Sequence, residues 1–135
     1  MADEPEFLDV EDVIEIHATQ LEVYGGSAGL RDRGLLESAV AQPQASFGGE
    51  LAHDGLFAMA AAYLFHLVRN HPFVDGNKRA GLLSALVFLD VNGISIDHAS
   101  DALYDLTMGV AEGRIDKPAI AAELERIARL GQHRR

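Results

Sequence analysis

The chain has 135 residues, 48% apolar and 24% charged, the size and balance of one soluble domain and too little for two. Its formal net charge of -10 excludes sequence-independent binding to DNA or RNA, which needs a surplus of Lys and Arg facing the phosphates. It has no cysteine, which excludes disulfides, thiolate zinc sites and cysteine nucleophiles.

The acidic start, Met1-Ala2-Asp3-Glu4-Pro5-Glu6, is unlike a secretory signal. The apolar run Gly55 to Val68 is shorter than the roughly 20 residues of a membrane span and is interrupted by His66. A cytoplasmic protein with no membrane contact is expected. Apolar residues recur at helical spacing, predicting an all-α bundle of about six helices in a single domain, residues 1–135.

Asp9 is the expected N-cap of a first helix with Val10, Val13, Ile14, His17, Leu21 and Tyr24 on one stripe. Gly25-Gly26 ends it. A second helix is predicted from Arg33 to Ala41, stopped near Pro43. Residues 44–51, with Phe47-Gly48-Gly49, read as an extended flap between helices two and three. A third helix, Asp54 to Asn70, is apolar almost all round and should be central and buried. The fourth is expected from Asn77 to Asn92, with Gly93 as its stop and Leu82, Leu83, Leu86, Val87, Leu89 and Val91 facing the third. A fifth (Ser100 to Glu112) and a sixth (Pro118 to Leu130, capped by Asp116) close the bundle, leaving a frayed tail from Gly131 to Arg135.

The chemistry concentrates between helices three and four, in His71-Pro72-Phe73-Val74-Asp75-Gly76-Asn77-Lys78-Arg79. Pro72 pushes His71 out of the helical region, Asp75-Gly76 turns the chain, and Asn77 opens the next helix as its cap. The backbone N–H groups of Gly76 to Arg79 should then point outward, as an anion site does at a helix N-terminus. Lys78 and Arg79 add positive charge where the helix dipole already places it, which makes local sense if an anion comes to them. Asp75 could share Mg²⁺ with substrate phosphates. His71, an imidazole, can take a proton from a hydroxyl near neutral pH. Singly, each has a plainer reading: a helix-end His, an Asp-Gly turn, an ordinary Asn cap, a solvated charge pair. Together they are the parts of a phosphoryl or nucleotidyl transfer site. Of the other histidines, His17 and His66 should be packed on helix stripes, and His53, His98 and His133 exposed. No His-Glu-x-x-His spacing occurs.

The segment resembles the signature of the Fic family, His-x-Phe-x-Asp/Glu-Gly-Asn-Gly-Arg followed two residues later by a second Arg. It matches at His71, Phe73, Asp75, Gly76, Asn77 and Arg79; Lys78 replaces the Gly, and Leu82 the second Arg. Both departures resemble the death-on-curing (Doc) branch. The similarity reaches Tyr24-Gly25-Gly26, the Gly29 to Gly34 turn, Ser84-Ala85-Leu86, Phe88-Leu89 and Asn92-Gly93, covering residues 8 to 125.

The resemblance implies the Fic/Doc fold and a toxin of a type II toxin–antitoxin pair. Fic enzymes transfer AMP from ATP to a protein hydroxyl. The Doc branch binds ATP in the reverse sense and transfers the γ-phosphate to a Ser/Thr hydroxyl, the known target being a threonine of elongation factor Tu, which stops translation. Carried over, His71 is the base and Asp75 the Mg²⁺ ligand. Gly76, Asn77, Lys78 and Arg79 hold ATP phosphates, with Lys78 and Arg79 also catalytic. Phe73 plugs the loop into the core, and the flap aligns the target segment by strand pairing. A Phd-like antitoxin is implied, its C-terminal segment folding into the groove of the first helix, flap and central helices. The rivals are an AMP-transferase, disfavoured by Lys78; a non-catalytic binding module, disfavoured by the intact His71, Asp75 and Arg79; and a nucleic-acid-binding protein, disfavoured by charge.

Overall fold

Asp9 starts the first helix by reciprocal capping: its Oδ1 accepts the Asp12 N–H at 2.8 Å, and Asp12 Oδ2 accepts the Asp9 N–H at 2.9 Å. The computed structural model describes residues 4–132. Helix α1 spans Val10–Tyr24 and ends where Gly25 takes φ 79°. Helix α2, Arg33–Ala41, is capped by Asp32 and passes into a 3-10 turn, Gln42–Gln44, that contains Pro43. The flap follows as a hairpin of β1 (Ser46–Phe47) and β2 (Glu50–Leu51), antiparallel, with Ser46 opposite Leu51. Helices α3 (Leu56–Asn70), α4 (Asn77–Val91), α5 (Ser100–Ala111) and α6 (Lys117–Gln132) complete the all-α bundle. Asp116 Oδ1 caps α6 by accepting the Ala119 N–H at 3.0 Å.

Helix α3 is the hub, as its apolar surface requires. Met59 to Leu64, Leu67 and Val68 are buried, and α2, α4, α5 and α6 all pack on it. Its one buried phenol, Tyr63, is satisfied by Leu8, whose N–H donates to the hydroxyl at 2.8 Å and whose carbonyl accepts at 3.2 Å.

The interface with α4 differs from the expected one. The buried face of α4 is Ala80, Gly81, Ser84, Ala85, Phe88 and Leu89, while Leu82, Leu83, Leu86 and Val87 lie half-buried on its flanks and Val91 is exposed. Small residues let the two backbones approach: a Cβ on Gly81 would lie 2.9 Å from Val68 Cγ2 and 3.3 Å from the Leu64 carbonyl oxygen.

Helix α3 begins at Leu56 and not at Asp54, because Gly55 at φ 92° holds the cap position. The buried stripe of α1 is Val13, His17 and Gln20, and Tyr24 is 62% exposed. His98 is half-buried, its Nε2 donating to the Ile127 carbonyl at 2.9 Å. His53 is half-buried beside His66, and Lys117 Nζ donates to the Nε2 of both, at 3.1 and 3.0 Å. Burial first, then the Lys117 charge, lowers both imidazoles, His66 to about 4. Helix α6 runs through Gly131 and Gln132; His133 and the rest of the tail lie outside the described residues.

Candidate active site

The α3–α4 loop is built from both ends. Phe73 is buried beneath it, 2% exposed, and stacks on the His17 ring with centroids 3.8 Å apart. His17 Nε2 donates to the Asp75 carbonyl at 2.7 Å, so a residue of the buried α1 stripe supports the loop directly. Asn77 Oδ1 accepts the Phe73 N–H at 2.9 Å, and its Nδ2 donates to the Phe73 carbonyl at 3.0 Å. Gly76, in the left-handed region at φ 78°, is the residue that precedes α4. Gly76, not Asn77, therefore holds the cap position, and Asn77 is the first residue of α4. Its side chain points inward and is 5% exposed, so what it offers a phosphate is its backbone N–H.

The segment 27–32 runs along the other side of the loop. Val74 N–H donates to the Gly29 carbonyl at 3.0 Å, the Arg31 and Asp32 N–H groups both donate to the Pro72 carbonyl, at 2.7 and 3.0 Å, and Leu30 bridges Phe73 in antiparallel fashion. His71 leaves α3 in the left-handed conformation, φ 53° and ψ 54°, and not in the extended region that Pro72 favours. For a side chain other than glycine this costs about 1–2 kcal/mol.

His71, Asp75, Lys78 and Arg79 are all exposed on this loop and the first turn of α4. Asp75 Oδ2 accepts the Ser27 N–H at 3.1 Å and its Oδ1 accepts the Gly76 N–H at 2.9 Å. These two bonds hold its carboxyl below the usual range, so it is ionised at neutral pH. They also occupy the Gly76 N–H, which was expected to face outward. No side chain caps α4, leaving the Asn77, Lys78 and Arg79 N–H groups for an anion. Lys78 and Arg79 make no ion pair with another described residue; the Arg79 guanidinium carbon lies 4.2 Å from the centre of the Tyr24 ring. Beside them an apolar groove of about 220 Å³ opens between α4 and α5, lined by Leu82, Leu103, Tyr104 and Met108.

Among the described residues no group of three or more His, Cys, Asp or Glu could cage a metal ion. A lone ionised carboxylate beside a phosphate cradle nevertheless fits Mg²⁺, which is often held by one carboxylate and substrate phosphates with water completing the shell. Asp75 retains lone pairs beyond the two it uses.

The structure thus gathers the expected site residues on one exposed surface and turns Asn77 away from it. The supports His17, Gln20, Ser27 and Arg31 were not singled out for this role. Polar His17 and Gln20 at helical spacing on an apolar stripe were the available signal, since buried polar groups need partners; Gln20 Nε2 reaches the Gly76 carbonyl at 3.4 Å. Ser27 and Arg31 carry no such local signal.

The Fic/DOC family model matches residues 7–89. Over 129 residues the chain is 43% identical to Toxin Doc of Mycolicibacterium smegmatis, covering 94% of this chain and 97% of that protein. Over 117 residues it is 39% identical to Protein kinase doc of Escherichia phage P1, covering 87% and 91% of the two chains.

Proposed function

Because the chain belongs to the Fic/DOC family, we propose that it is the toxin of a toxin–antitoxin pair, a phosphotransferase that uses ATP and Mg²⁺ to phosphorylate a Ser or Thr hydroxyl of a translation factor, elongation factor Tu. The observation that carries this reading is the first turn of α4. Three N–H groups that no side chain caps among the described residues, and two exposed cations that form no ion pair with another described residue, stand beside an ionised carboxylate and an exposed imidazole. That arrangement favours a polyphosphate and a proton acceptor in one place.

Bound at Asp75, Mg²⁺ would neutralise charge on the phosphate oxygens. The N–H groups of Asn77, Lys78 and Arg79 and the two cationic side chains hold the γ-phosphoryl oxygens as charge shifts during transfer. An unprotonated ring nitrogen of His71 takes the proton of the attacking hydroxyl. The target oxygen bonds to the γ-phosphorus, the bond from that phosphorus to the bridging oxygen breaks, and ADP leaves. Lys78 and Leu82 support phosphoryl over nucleotidyl transfer. The first puts a long side chain where the broader family pattern has Gly, and the second lines an apolar groove where that pattern has Arg.

The partners belong to the same proposal. A groove of about 400 Å³ between the N-terminal segment, α1 and α4, bordered by neither the flap nor α3 as the expected antitoxin groove would be, has an apolar floor (Phe7, Ile16, Leu83, Val87) and a carboxylate rim (Glu6, Asp12, Glu15). It suits an amphipathic, basic antitoxin segment that folds on binding. The exposed hairpin, with Phe47 77% exposed, offers a strand edge to the target. Transfer is tested with ATP labelled at the γ- or the α-phosphate: label from the γ-position alone supports this reading, and label from the α-position restores AMP transfer.

A further inference from the structure

We propose that Arg31 is a positioning residue that fixes the imidazole of His71 by clamping the C-terminal end of α3. The inference rests on the reading of His71 as the base.

Left to itself, a histidine before proline takes an extended backbone. His71 instead sits at φ 53°, ψ 54°. A left-handed helix end is ordinarily closed by an N–H from the next residue, bonding back to a carbonyl of the last turn. Here the next residue is Pro72, which has no N–H, so that closure is impossible and the last carbonyls need another donor.

Arg31 supplies it. Its Nε donates to the His71 carbonyl at 2.7 Å and its Nη2 to the Asn70 carbonyl at 3.0 Å, one planar fork spanning two successive carbonyls. Its own N–H donates to the Pro72 carbonyl at 2.7 Å, so Arg31 contacts three consecutive residues of the bend. The cation also meets the negative end of the α3 dipole. Arg31 makes no ion pair with another described residue, which leaves its charge to these carbonyls.

The downstream half of the loop has independent supports in His17, Phe73 and Asn77. At the upstream half, Arg31 is, among the described residues, the side chain that bonds His71. The backbone angles of His71 aim its Cα–Cβ bond, and so determine where the ring meets the attacking hydroxyl. The N–H groups of Arg31 and Asp32 hold Pro72 whatever side chain stands at position 31; the fork alone holds the Asn70 and His71 carbonyls, and without it the His71 backbone can relax toward the extended conformation and carry the ring away. Because Arg31 is exposed, its removal leaves no core cavity.

The test uses the full chain with Arg31→Gln and Arg31→Lys. A misplacement of this kind costs about 100-fold in rate, so Arg31→Gln should lose about that much single-turnover transfer at saturating Mg²⁺-ATP, with nucleotide affinity unchanged. Arg31→Lys, which keeps a cationic donor, should fall between, and it serves as the variant if Arg31→Gln does not fold. The structural readout is the pair of His71 Cα and Cβ chemical shifts, which should leave their left-handed values in Arg31→Gln. Unchanged His71 shifts, or shifted ones with an undiminished rate, would overturn the proposal. An undiminished rate in His71→Ala would instead sink the base assignment, and the His71 shifts would still decide whether Arg31 holds that residue.

Discussion

Lys78 and Arg79 stand at the positive end of the same helix, yet their surroundings differ. Lys78 meets no compensating group among the described residues, and a mispaired charge at an exposed first turn costs roughly 0.3–1 kcal/mol. Arg79 carries the same penalty but lies over the Tyr24 ring, an exposed cation–π contact that returns about 0.5–1 kcal/mol. Lys78→Gln should therefore raise the melting temperature slightly, and Arg79→Gln should leave it nearly unchanged. Both should weaken Mg²⁺-ATP binding and abolish transfer, since each removes charge-assisted bonds to phosphate. Melts with and without nucleotide check this; if both variants melt lower and bind nucleotide normally, the two cations are structural. Asn77 should behave in the opposite way. Asn77→Ala orphans the N–H and carbonyl of buried Phe73 and should cost about 1–3 kcal/mol in denaturant unfolding, whatever it does to activity.

At the scale of elements, the α3–α4 pair holds the site, and Gly81 sets how closely the two helices approach. Gly81→Ala gains about 1 kcal/mol of helix propensity. The added methyl would meet Val68 Cγ2 at 2.9 Å and the Leu64 backbone, and overpacking of a close interface costs about 1–3 kcal/mol. Net destabilisation is expected in thermal or urea unfolding; an unchanged or raised midpoint would show that the helices part without cost. The same interface shows what was legible beforehand. The helix starts at Asp9 and Asp116 are legible in the sequence because a side-chain cap is a local signal; the cap at Asp32 is a finding of the structure. The buried face of α4 is not legible from the bulk of its leucines, because close approach selects Gly81, Ser84 and Ala85. The site was legible where it is local, from His71 to Arg79. Its props were not, since the His17–Asp75 and Arg31–His71 bonds link residues 58 and 40 positions apart.

For the whole molecule, no helix among the described residues is long and apolar enough to cross a membrane. A net charge of -10 repels polyphosphates in general, so the proposed nucleotide binding rests on the local cradle on α4. Stability should also carry a mark away from the site, where Lys117 ties α6 to His53 beside the flap and to His66 on α3. The unfolded His66 imidazole takes a proton as pH falls through its ordinary value of 6.5, while the folded one resists until about 4. Stability is therefore full above that upper value, declines between the two and levels off below the lower one. Melting temperatures across this window should fall, and His66→Gln should flatten the fall. Whether the cradle passes the γ-phosphate to a translation factor can be read from intact-mass spectrometry of elongation factor Tu. The factor is incubated with Mg²⁺-ATP and either the native chain or His71→Ala. A gain of one phosphate is expected with the native chain and none with His71→Ala; a gain matching AMP, or a phosphate that persists in the variant, would overturn γ-phosphate transfer with His71 as the base.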